Sequence, residues 1–201
     1  MDQKIPSSPD RFKANLLTLA EIINEMFEES VEAGIIKDQF GLFFIVKTVI
    51  SRSSGENMIK NFIKRTNEHW DKIREEDEEY FKSIGLNLFS MVEEKGLDKI
   101  KQEDEELKAG GTLVEKFSSS HIKNFKTILE SSYNDGGEEV EVFDKIRRKN
   151  VWKIMQSFVK ISLVFIHENR KPDEEGRYTV EFFPDIPVKE TAKSWGVKSI
   201  K

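Results

Sequence analysis

Large apolar side chains in this chain recur at intervals of three and four residues, and that spacing suits one kind of backbone. Phe12, Leu16, Leu19, Ile23 and Met26 form one such series; Trp152, Met155, Val159, Leu163 and Ile166 form another. At 3.6 residues per turn each series falls on one face of an α-helix, whereas a strand would throw alternate side chains to opposite faces. The first series predicts a helix with Ser8 as N-cap and Pro9 in its first turn, ending near Gly34. Phe40, Phe43, Phe44 and Ile50 predict a short, very apolar helix capped by Asp38. Ser53-Ser54-Gly55-Glu56 fits a capping box ahead of Met58, Ile59, Phe62 and Ile63. Trp70, Ile73, Phe81, Ile84, Leu88 and Val92 continue the helical period through an acidic stretch.

Glycines at 96, 110 and 111 break the pattern around the charged run Gln102–Glu106. A second capping box, Thr112–Glu115, opens a helix bearing Phe117, His121, Phe125, Ile128 and Leu129. Asn134-Asp135-Gly136-Gly137 is the strongest turn signal in the chain. After it come Phe143, Ile146 and the second series above, the longest candidate core helix, which Pro172 stops. The last thirty residues differ: Arg177–Phe183 alternates and favours a short strand, and Pro184 and Pro187 block regular helix. The expected fold is therefore all-α, an orthogonal bundle of about five to seven helices with an extended C-terminal arm. Its helical domain covers residues 1–171 with a hinge near 109–112, and the arm covers 172–201.

Composition narrows the function classes. The chain has 201 residues, 34% of them charged, and its 15 Phe and 3 Trp provide enough bulk for a core. With no Cys, disulfides, thiolate-held metals and cysteine nucleophiles are excluded. A net charge of −5 argues against general coating of nucleic acid or an anionic membrane. Between Glu68 and Lys108 there are 14 acidic and 7 basic residues, so the acidic middle accounts for the whole negative balance. The two apolar runs, Phe40–Ile50 and Ile154–Ile166, are 11 and 13 residues long and each contains a lysine. A membrane span needs about 20 residues, so both read as buried core helices, and a soluble, cytoplasmic protein is expected.

No phosphate-cradling GxxxxGK[ST], no GxSxG elbow and no HExxH is present. Ser118-Ser119-Ser120-His121 places hydroxyls beside an imidazole, but His121 falls on the apolar face of its helix and reads as a packed histidine. The carboxylate–histidine pattern of di-iron bundles needs a Glu three residues before the His. Thr66, Ser118 and Val164 occupy those positions before His69, His121 and His167. As a calcium loop, Ser131–Gly136 supplies one carboxylate, Asp135, where three ligands are wanted. Glu75–Glu79, on one continuous helix, would point all around it and converge on nothing. No cofactor, no metal and no enzymatic activity are therefore expected.

Two features remain as candidate sites. The tail Val188–Lys201 sets one acidic residue, Glu190, against four lysines, with Trp195 among them. Trp195, Lys193, Lys198, Phe182 and Phe183 are the candidate partner-binding residues, since Trp often anchors interfaces. The same tail could equally strap its own helices, with Trp195 filling a groove. Arg147, Arg148, Lys149 and Lys153 flank Trp152 and offer an alternative, contact with nucleic-acid phosphates.

His69–Phe81 (HWDKIREEDEEYF) and Val151–Leu163 (VWKIMQSFVKISL) together resemble the layout of small helical proteins of large cytoplasmic DNA viruses, which carry no assigned activity. In those, a Trp- and acid-containing helix precedes a late apolar helix opened by an aromatic residue. The resemblance covers about a quarter of the chain and assigns no residue a role. It implies a viral, virion-associated or host-interacting protein, working in host cytoplasm or virion. The expected function is thus structural or interactive, through a protein partner or self-association and without a membrane.

Overall fold

The structure, a computed structural model, describes residues 6–37, 42–84, 119–169, 171–172, 178–179 and 186–200. It is mostly helical. The helices are α1 (Ser8–Glu32), α2 (Leu42–Arg52), α3 (Gly55–Thr66), α4 (Trp70–Glu75), α5 (78–84), α6 (Ser119–Glu130), α7 (Lys145–Asn169) and α8 (Val188–Ser194), with a 3₁₀ turn at Asn67–His69. Two small antiparallel pairs accompany them: β1 (Ser132–Asp135) with β2 (Glu138–Glu141), and β3 (Lys171–Pro172) with β4 (Tyr178–Thr179). Among the described residues no helix is long and apolar enough to cross a membrane.

The chain divides into two compact units that alternate along the sequence. Unit 1 comprises Met1–Leu19, Ile50–Glu76 and Lys149–Lys201; unit 2 comprises Ala20–Val49 and Asp77–Arg148. Helices α1, α2 and α7 contribute residues to both. The expected hinge at 109–112 lies outside the described residues, as do Asp38, Leu88, Val92, the run 102–106 and the capping box 112–115.

Unit 1 is organised on three phenylalanines from three helices. Phe12 of α1, Phe62 of α3 and Phe158 of α7 meet with ring centroids 4.4–5.6 Å apart, the Phe12–Phe62 pair edge to face. Such pairs add about 0.5–1.5 kcal/mol beyond the area they bury. Ile59, Ile63 and Ile73 pack at zero exposure, and Trp70 satisfies its indole N–H on Thr66 Oγ1 at 3.0 Å. From Phe158 to Ile166, α7 is buried on most sides; Lys160 is its one exposed residue there. Polar ties register the helices: Asn15 donates to Ser157 Oγ at 2.7 Å, and Lys13 donates to the carbonyls of Ser51 and Ser53.

In unit 2, among the described residues, Met26, Ile128 and Val142 form a buried cluster, with Ile22, Phe27, Leu129, Tyr133 and Phe143 against it. Its hairpin turns on Gly136 and Gly137, whose φ values of +61° and +100° suit the primed turns that close two-residue hairpins. Asn134 Oδ1 accepts from the Gly137 N–H at 2.9 Å. The turn signal was legible in the sequence; the flanking strands were not, because Ser, Asn and Glu are poor strand formers.

Local capping differs from expectation in three places. Ser7, not Ser8, caps α1, accepting from the Asp10 N–H at 3.3 Å. Ser8 is buried instead and donates to Glu168. Ser54, not Ser53, caps α3, accepting from the Asn57 N–H; this puts Glu56 one position too early to reach back, it pairs forward with Lys60, and the expected box is not formed. The acidic run 75–79 is not one helix: Glu76 ends α4 at φ +54°, and Asp77 caps α5 by accepting from the Tyr80 N–H at 3.0 Å. Three residues assigned to core faces stand in water, Phe44 at 73% exposure, Ile146 at 69% and Ile84 at 38%. Of Arg177–Phe183, the described part forms β4, paired with β3.

Two substitutions test this packing. A Cβ on Gly55 would lie 2.9 Å from both Pro9 Cβ and the Pro9 carbonyl oxygen. Gly55→Ala is expected to lower stability by about 1–3 kcal/mol in denaturant unfolding, the usual cost of overpacking. Ser162 is fully buried and its hydroxyl has no hydrogen-bond partner. Ser162→Ala removes that unpaired group and should raise stability by about 1 kcal/mol in the same measurement.

Candidate functional site

The C-terminal tail is helical where an extended arm was expected. Val188, Ala192 and Trp195 fall at i, i+4 and i+7, a helical stripe, and are 1%, 0% and 6% exposed. Gly196 at φ +65° ends α8: its N–H donates to the Lys193 carbonyl and that of Val197 to the Ala192 carbonyl, at 3.1 and 2.9 Å. Pro187 does not block the helix; it stands just before α8, where a missing N–H costs nothing. The stripe is present in the sequence, behind two prolines that favour an extended backbone. Arg74 of α4 donates to Ser194 Oγ at 3.2 Å, so α8 is seated within unit 1.

This geometry divides the candidate partner-binding residues. Trp195 is buried in its own chain, the strap arrangement, and offers no ring to a partner. Lys193 and Lys198 are exposed. Phe182 and Phe183 lie outside the described residues.

The basic cluster divides as well. Arg147 pairs with Glu29 at 2.5 Å and donates to the Val142 carbonyl at 2.6 Å, joining α7 to the end of α1 inside unit 2. Hydrogen bonding to Glu29 raises the Arg147 guanidinium above its ordinary value, and the Tyr133 phenol is raised chiefly by the same carboxylate. Arg148 donates to the Phe143 carbonyl at 2.8 Å, pairs with Glu141 at 2.9 Å and lies over the Phe143 ring. Both arginines therefore clamp the hairpin to the start of α7, and their charge is met by Glu29, Glu78 and Glu141. Lys149 and Lys153 remain exposed. Adjacency in sequence had grouped four cations that the helix sends to different tasks.

Other polar groups serve the fold. Among the described residues no three of His, Asp and Glu gather to hold a metal ion. A cavity of about 500 Å³ in unit 1 is lined by Ser7, Ser8, Arg11, Glu56, Phe165 and Glu168, among others. Its Ser8 and Glu168 bond to each other and its Glu56 to Lys60, so these groups are already paired.

A strap under load gives a measurable expectation. Trp195→Ala should cost about 3–5 kcal/mol, the range for emptying a buried aromatic site, and lower the thermal midpoint. An unchanged midpoint would mean that the ring does no structural work.

No protein-family model, no curated protein and no solved structure matches this chain.

Proposed function

We propose that this chain is a non-enzymatic structural or interaction protein whose contact surface lies on unit 2. The observation that carries this reading is where the fold leaves large apolar side chains in water. Among the described residues Phe44, Ile84 and Ile146 are the exposed large apolar ones, and all three belong to unit 2. Burying one such side chain against a partner is worth about 1.5–3 kcal/mol, so two or three can anchor a modest interface. The resemblance to helical viral proteins favours the same class, a protein that acts by touching other proteins. Nucleic-acid contact is the less supported reading, because Arg147 and Arg148 are engaged within the fold.

The test uses the full chain as bait, followed by rebinding to the purified partner it captures. Phe44→Asp and Ile146→Asp should each weaken that binding about tenfold or more while leaving the helical circular-dichroism signal intact. Binding that is indifferent to both changes would overturn the assignment of the surface.

A further inference from the structure

The two units carry opposite charge. Unit 1 holds 19 basic and 14 acidic residues; unit 2 holds 13 basic and 23 acidic. Their nets are +5 and −10, a division that the overall −5 conceals.

On unit 1 the excess is displayed on exposed lysines. Between Val151 and Ile166 of α7 the exposed residues are Lys153 and Lys160. With Lys149 they stand at i, i+4 and i+11, within about 40° of one another around the helix and about 17 Å from end to end. Lys189, Lys193 and Lys198 are exposed on and just after α8. The end of α4 touches both helices, since Gln156 donates to Glu76 and Arg74 donates to Ser194. Glu76, which accepts from Gln156, sets one negative charge beside the α7 ridge. None of these six lysines has an ion-pair partner among the described residues.

On unit 2 exposed acids stand on α1, at Glu21, Glu25, Glu28 and Glu32, and on the β1–β2 hairpin. Asp135, Glu138, Glu139 and Glu141 are all exposed. Asp135 and Glu138 stand directly opposite each other beside the turn, and neither has a cationic partner among the described residues. Like charges so placed destabilise a hairpin, and an incoming ammonium relieves them. Opposed strand residues are about 4.5–5.5 Å apart, close to the roughly 6 Å rise between Lys149 and Lys153.

We infer that the lysine ridge of unit 1 receives the acidic hairpin tip of unit 2 from a second copy of this chain. Every copy carries both surfaces, so the contact is heterologous and head to tail, and association continues past the dimer instead of closing by symmetry. Nucleic acid would meet the same lysines, but on a chain whose net charge is −5; a second copy brings the complementary surface itself. The inference deepens the interaction reading but rests on other residues, so Phe44→Asp should leave it untouched.

Sedimentation velocity on the full chain tests it. Wild type is expected to form species heavier than a dimer at 50 mM salt and to dissociate by 300 mM, with about a tenfold or larger loss of affinity. The triple reversal Lys149→Glu, Lys153→Glu, Lys160→Glu should be monomeric, and so should Asp135→Lys, Glu138→Lys, Glu139→Lys. Mixing the two should restore association, because each then supplies the surface the other has reversed. The neutral triple Lys→Gln on the ridge should lose association too, with an unchanged thermal midpoint showing that the fold is intact. A wild type that stays monomeric at 50 mM salt and high micromolar concentration would overturn the inference. So would a mixture that fails to associate, or DNA retention lost with the ridge lysines in a protein that never self-associates.

Discussion

The packing of Phe158 against Phe12 and Phe62 is the contact on which unit 1 depends. It joins three helices far apart in sequence, and it sits where α7 is buried on most sides. A helix enclosed in this way must show water whatever few positions remain, and on α7 these are lysines. Core packing and surface charge are thus set by one helix: the rings that pin α7 also fix where Lys153 and Lys160 stand.

The polar groups follow a consistent rule. Arg147 and Arg148 close the corner between hairpin and α7 with carbonyl bonds and carboxylate pairs, an arrangement suited to the forked guanidinium. Lys149, Lys153 and Lys160 of the same helix, with their flexible stems and compact charge, are left outside. An arginine-to-lysine exchange at 147 or 148 would therefore not be conservative here. Ser162 runs against the rule, a buried hydroxyl without a partner in the most apolar stretch of the chain.

The interaction reading and the charge inference draw on opposite properties of unit 2. Its few exposed apolar side chains give short-range contact; its acidic hairpin gives long-range attraction that salt screens.

Sequence alone determined that the chain is helical, where α1 and α7 run, and that a turn falls at Asn134–Gly137, because periodicity and turn chemistry are local properties. It also contained the Val188–Ala192–Trp195 stripe, although tail prolines and lysines pointed toward an extended arm. Tertiary structure alone decided that Trp195 is buried, that Phe44 and Ile146 are exposed, and that Arg147 and Arg148 are held by Glu29 and Glu141. Periodicity says which residues share a helix face; it does not say which faces find a partner. Ion pairs such as Glu29–Arg147 join residues more than a hundred positions apart, and only the folded chain brings them together.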